Sequence, residues 1–173
     1  RTEEFVSLIE GTPVTVSEWR RQKEVQSEED VSDPLRLGFS AFFLNRTNRS
    51  GIIKGAGVIG GLAQSGTYKI DCRFNKVDLI RRIRRVKKYR QRIHLYNLDA
   101  VQFMSDVELP SRTFFCIDPP YFNKGSSLYT SFYDPSAHEE VSRTVLKLSY
   151  PWIVTYDNVE EIQELYASRR QFV

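Results

Sequence analysis

The sequence predicts an α/β protein, with parallel strands covered by helices on both faces and an inserted, loop-rich lobe. Two observations carry this. In the second part of the chain, short apolar runs alternate with amphipathic stretches, the order of strand–helix–strand units. Earlier, six of the nine glycines fall between Gly51 and Gly66, in a polar stretch too long for a simple connection. The expected division is a helical and loop-rich region over residues 1–75 and an α/β core over residues 76–173.

Residues 1–32 are polar and acidic, Glu28-Glu29-Asp30 included, and carry no motif. Asp33-Pro34 has the chemistry of a helix start, with Asp as N-cap and Pro in the first turn. Leu35, Leu37, Phe39, Phe42 and Phe43 extend that helix to about Asn45. After the lobe, Asn75 is expected to cap a helix with a stripe of Val77, Ile80, Ile83 and Val86. Ile93 to Asn97 alternates as a strand does, ending at Asp99. Thr113 to Ile117 is continuously apolar, as expected of a strand buried on both faces. Ser136 with Glu139 fits a capping box before a helix containing Val141, Val145 and Leu148. Trp152 to Tyr156 reads as a strand, Asn158 to about Tyr166 as a helix, and Gln171-Phe172-Val173 as the start of another strand. The chain lacks an initiating Met and its last strand is barely begun, so it reads as a piece of a longer protein.

With 173 residues, of which 40% are hydrophobic and 13% aromatic, the chain can bury a core. It has no apolar run of about 18 residues and no basic segment leading an apolar one, so neither a membrane span nor a signal peptide is expected. Cys72 and Cys116 are too few for a disulfide framework, and a cytoplasmic setting follows. Cys116 is expected to be a small core residue. His94 and His138 stand alone, no Cys or His spacing matches a metal site, and both histidines are read as structural.

Net charge is +3, but Lys76 to Arg92 holds nine Lys or Arg against one Asp. That stripe suits a polyphosphate partner, since neutralised phosphates release counterions. It equally suits a solvated helix face.

The chemistry concentrates where the apolar run TFFCI ends in Asp118-Pro119-Pro120-Tyr121-Phe122. Ligands of open parallel sheets gather at the carboxyl ends of the strands. Two prolines stiffen the backbone and remove two N–H donors, leaving a carboxylate, free carbonyls and a ring. That set suits an exocyclic amine on a planar base, with Asp118 and the Pro119 carbonyl as acceptors for its two hydrogens and Tyr121 stacking on the base; a rigid strand-to-loop turn with Asp118 capping nearby backbone is the alternative. Catalysis then comes from positioning and electrostatics, without a strong base.

Asp-Pro-Pro-Tyr in this place resembles the catalytic motif of amino methyltransferases that use S-adenosyl-L-methionine. Phe43-Leu-Asn-Arg-Thr-Asn-Arg-Ser-Gly51, Arg73-Phe-Asn-Lys76, Leu128-Tyr129 and Thr155-Tyr-Asp-Asn158 resemble the Dam-like, D12-class DNA adenine methylases in particular, over approximately residues 33–167. The resemblance implies a Rossmann-like methyltransferase sheet, S-adenosyl-L-methionine as cofactor and double-stranded DNA as partner. It also implies N6-methylation of an adenine extruded from the duplex by Asp118, Pro119, Pro120 and Tyr121. Asp118 then lies close to the methyl donor. Asp99 matches an acidic position that contacts the cofactor's adenine, although it suits an N-cap for the following turn equally well. Arg46, Asn48, Arg49 and Lys54 in the lobe, with Arg84 and Arg85 on the basic helix, become the expected DNA contacts.

One departure matters. The family's Phe-x-Gly-x-Gly loop and its lysine motif do not occur before residue 33, so the cofactor pocket is expected to be incomplete. Gly55-Ala-Gly57-Val-Ile-Gly60 has dinucleotide-fingerprint spacing but no flanking strand and helix, and is read as flexible loop. The rival readings are a non-catalytic DNA-binding module and a protein glutamine N5-methyltransferase, which carries Asn where Asp118 stands.

Overall fold

The computed structural model describes residues 1–28, 30–123 and 133–172. Glu29, Leu128-Tyr129 and Val173 lie outside the described residues. The chain forms two compact units, Arg1–His94 and Leu95–Val173. The first is helical; the second mixes helices with a two-stranded parallel sheet, which is compatible with an α/β class.

The N-terminal unit contains α1 (Thr2–Gly11), α2 (Val16–Glu28), α3 (Pro34–Thr47) and α4 (Lys76–Lys88). Two helices thus occupy residues 1–32, which carry no sequence motif. Asp33 caps α3 by accepting from the amides of Leu35 and Arg36, with Pro34 in the first turn. Asn75 caps α4 through the amide of Asp78. Lys76, the first residue of α4, donates to Glu10 O and Thr12 O at 2.8 Å each, so its ammonium meets the carbonyl end of α1. Phe5, Phe39, Phe42, Phe43 and Phe74 interlock in mostly edge-on or tilted contacts and form the centre of the core.

The stripe expected on α4 needs correction. Val77 and Val86 are 80% and 57% exposed, whereas Leu79 and Ile80 are buried, with Ile83 packed beside them. The buried face runs through 79, 80 and 83, a true 3.6-residue helical stripe rather than a three-residue step.

Between Thr47 and Lys76 the chain is irregular but pinned. Asn48 bridges to Val58, and Ile59 N donates to Thr47 O at 2.9 Å. Gln64 donates to Ile59 O and Gly61 O and accepts from Ile70 N. Gly60 has φ 82°, and a Cβ there would sit 2.7 Å from Tyr68 O, so only glycine fits. The Gly55–Gly60 spacing therefore belongs to a shaped loop, without a strand before it or a helix after it.

The C-terminal unit contains α5 (Ala100–Asp106), β1 (Phe115–Ile117), α6 (Pro135–Lys147), β2 (Trp152–Val154) and α7 (Glu160–Leu165). β1 and β2 pair in parallel, with Phe115, Cys116 and Ile117 opposite Trp152, Ile153 and Val154. Ile117, Trp152 and Val154 pack with Val141 and Val145 of α6 and Ile162 of α7. On the opposite pleat, Phe114, Cys116 and Ile153 are exposed. β1 is therefore covered on one face, and neither Cys116 as a core residue nor burial on both faces holds among the described residues. Ile93–Asn97 is irregular rather than a strand, with Leu95 95% exposed. Asp134, not Ser136, caps α6, because Pro135 takes the first-turn position and leaves the Asp134 carboxylate to accept from Ala137 N. Gln171 and Phe172 are irregular.

Candidate functional site

Parallel register brings the carboxyl ends of β1 and β2 together: Thr155 N donates to Ile117 O at 3.0 Å. One residue on, Asp118 and Thr155 meet side by side, and Thr155 Oγ1 donates to Asp118 Oδ1 at 2.7 Å. Pro119 is buried and Pro120 half-buried, so the turn is packed as well as stiff. Its far end is held by Asp157, whose two oxygens accept from Phe122 N at 2.8 Å and Asn123 N at 3.0 Å.

Beneath the turn lies an aromatic layer. The Phe122 ring sits 5.1 Å from the His138 ring, which also meets Tyr133 and Tyr156. His138 is 1% exposed, its Nδ1 is 3.1 Å from the Tyr156 hydroxyl, and its Nε2 is buried without a partner. Burial pulls the His138 pKa below its ordinary value against the opposing pull of Asp157 and Asp134. Burial likewise pushes the Tyr156 hydroxyl up. Burial therefore disfavours the charged form of both groups in this layer.

Asp118, Pro119 and Pro120 line a cavity of about 420 Å³ with Tyr96, Leu98 and Phe103. That is within the usual range of ligand pockets, about 300–1,000 Å³. The Tyr96 and Phe103 rings meet in a tilted contact, 5.1 Å between centroids, and supply an aromatic wall. Exposed Cys116 faces the same space, which explains why this residue of an apolar run is not in the core. Tyr121, half-buried, stands outside that lining. Asp99 caps α5, with Oδ1 accepting from the amides of Val101 and Gln102. Its chain neighbours Leu98 and Ala100 both line the cavity.

No family model matches this chain, and no curated protein does. The functional reading therefore rests on the residues themselves.

The remaining site residues lie in the N-terminal unit. Asn48 is 0% exposed: it accepts from Trp19 Nε1 at 2.6 Å and donates to Ile52 O and Ile53 O. That corrects its place among the expected DNA contacts, because its side chain is used up inside the fold. Arg46 is half-buried, with Nε enclosed and unpartnered, while Arg49 and Lys54 are exposed. On α4, Arg84 pairs with Glu3 of α1 at 3.2 Å, and Arg85 is exposed without an ion pair to any described residue. This unit also holds a groove of about 550 Å³ between Phe5, Leu35, Ile83 and Val86, rimmed by Lys87 and Arg90. No carboxylate lines it, so it has no acceptor set like that at Asp118.

Among the described residues, no helix is long and apolar enough to cross a membrane. Nor do three or more His, Cys, Asp or Glu side chains gather as a metal site.

Sequence reasoning placed Asp118 correctly at the end of a strand but assigned no role to Thr155 or Asp157. Both lie in the Thr155-Tyr-Asp-Asn158 segment that carries part of the resemblance, but the groups they bind are 37 and 35 positions away, so their contacts were not legible locally.

Proposed function

We propose that this chain is the catalytic and target-recognition part of an S-adenosyl-L-methionine-dependent DNA adenine-N6 methyltransferase. The observation that carries the reading is the Asp118 carboxylate, oriented by Thr155 at the carboxyl end of a parallel strand and facing an aromatic-walled cavity. The β1–α6–β2 crossover supports a Rossmann-like sheet of the methyltransferase kind.

The lining fits the cofactor's chemistry. Tyr96, Leu98 and Phe103 offer apolar and aromatic surface to a planar heterocycle, and Asp118 offers negative charge to a cationic sulfonium. In this reading Asp99, whose chain neighbours Leu98 and Ala100 line the cavity, is the acceptor for an exocyclic amine of the cofactor. When bound, the cofactor supplies an electrophilic methyl group. Asp118 Oδ2 and the Pro119 carbonyl accept the two N–H bonds of the target amine, turning its lone pair away from the ring. Tyr121 fixes the plane of the base, and Pro120 holds the carbonyl in place. The same acceptors stabilise the positive charge that develops on nitrogen. Arg46, Arg49, Lys54, Arg84 and Arg85 are the proposed phosphate contacts to double-stranded DNA.

A single pair of experiments tests this. Calorimetric titration with S-adenosyl-L-methionine should show saturable binding. Transfer of labelled methyl to duplex DNA should yield N6-methyladenine in the wild-type chain and none in Asp118→Ala. DNA affinity should be largely kept in that variant, because phosphate contacts supply most of it and, among the described residues, Asp118 is exposed and bonds to Thr155. Full methylation by Asp118→Ala would refute the assignment. Salt-sensitive DNA binding with neither cofactor binding nor transfer would favour a DNA-binding module, which exposed Arg85 on α4 already accommodates.

A further inference from the structure

We propose that Thr155 and Asp157 form a two-point clamp on the Asp118–Asn123 turn and act as positioning residues for the amine it receives. The identity of that amine rests on the methyltransferase reading; the clamp itself rests on geometry. A turn built on Pro119-Pro120 lacks two N–H groups and cannot be closed there by backbone hydrogen bonds. The ladder between the strands ends with Thr155 N on Ile117 O. Beyond that point side chains from the continuation of β2 take over. Thr155 holds the first residue of the turn, and Asp157 holds the last two. Tyr156, between them, meets His138, against which the Phe122 ring also lies. The turn is fixed at both ends, and its far end is also backed by the aromatic contact of Phe122 with His138.

Each contact has a consequence for chemistry. Thr155 occupies Oδ1 of Asp118, so the carboxylate is held in one rotamer and presents Oδ2. The amine then meets one carboxylate oxygen and one carbonyl, an acceptor for each hydrogen. Asp157 accepts one N–H on each oxygen. Only a carboxylate does this in that geometry, since an amide has a single acceptor atom and its NH₂ would repel the second N–H. A displacement of about 1 Å at such a turn costs on the order of 100-fold in rate.

The clamp predicts an effect on turnover rather than on substrate binding. With duplex DNA and S-adenosyl-L-methionine, T155V and D157N of the full chain should each lower kcat by roughly 10-fold to 100-fold, with KM for DNA nearly unchanged. T155S, which restores the hydroxyl, should recover most of the loss. Independently of turnover, the Phe122 and Asn123 amide protons should exchange slowly in the wild type and rapidly in D157N, with exchange in α6 unchanged. Unaltered kcat in T155V, a loss confined to KM, or fast exchange at Phe122 and Asn123 in the wild type would each overturn the clamp. A wild-type chain that transfers no methyl, but whose two amides lose protection only in D157N, would sink the methyltransferase reading and leave the clamp standing.

Discussion

Asn48 and Asp118 show how differently two polar residues of one chain are used. Asn48 takes the Trp19 indole N–H and gives both its own hydrogens to Ile52 O and Ile53 O, which closes the loop onto the core. Replacing it by Ala leaves a buried indole donor and two carbonyls without partners, at about 1–3 kcal/mol for each group that water cannot reach. Asn48→Ala should therefore lower the urea midpoint of the N-terminal unit substantially. The salt slope of DNA binding should stay at its wild-type value, and a changed slope would restore Asn48 as a phosphate contact. Asp118 is exposed and, among the described residues, bonded to one hydroxyl, which leaves it available to a ligand. The two were equally visible in the sequence as polar residues in motif-like settings. Asp118 was interpretable because its place after an apolar run is local. The role of Asn48 depends on Trp19, 29 residues away, and no local pattern reports such a contact.

Among the helices, α4 is where charge and packing compete. Arg81 and Arg82 share Asp78 within the helix, and Arg84 and Lys87 reach across to Glu3 of α1. Those two ion pairs hold the Glu3 carboxyl below its ordinary range. Arg85, exposed and unpaired among the described residues, is the cation most available to a phosphate. Arg85→Glu should lower DNA affinity and reduce the salt slope by about one, measured by anisotropy over a salt series. Glu3→Gln should act oppositely, releasing Arg84 and Lys87 and steepening the slope. If neither variant moves it, α4 is a solvated face and the DNA contacts lie elsewhere. The caps at Asp33, Asn75 and Asp99 were legible because capping is decided within three residues. The strand expected at Ile93–Asn97 was not, because alternation marks a strand only when a neighbour pairs with it, and none of the described residues does. On α6, the Ser136–Glu139 pattern competed with Asp134-Pro135 two residues earlier, and the proline decided the boundary.

At the scale of the whole molecule, each unit has its own core, and each core contains one tryptophan: Trp19 in the first, Trp152 in the second. The two units also differ in what acid does to them. In the C-terminal unit, burial keeps His138 neutral and its pKa below the ordinary 6.5. When pH falls below 6.5, the unfolded chain binds a proton that the folded unit refuses, so stability declines from there down to the folded pKa. In the N-terminal unit, the groups with clear shifts in this sense are carboxylates. Glu3, Glu18 and Asp78 lie below their ordinary values of 4.5, 4.5 and 3.8, held by Lys87 with Arg84, by Arg21, and by Arg81 respectively. Their contribution is complete above those values and is lost only in stronger acid. Denaturation followed in Trp19→Phe, where Trp152 alone reports, should therefore show a midpoint that falls between about pH 7 and pH 5. In Trp152→Phe, where Trp19 reports, the midpoint should stay level over that interval and fall only below about pH 4.5. Adding His138→Gln, which keeps a polar partner for Tyr156 but cannot titrate, should flatten the Trp152 curve. A Trp152 midpoint that stays level in the wild-type background would mean that His138 is not held neutral beneath the Asp118–Asn123 turn. The aromatic layer would then have to be read as a charged site instead of a structural support.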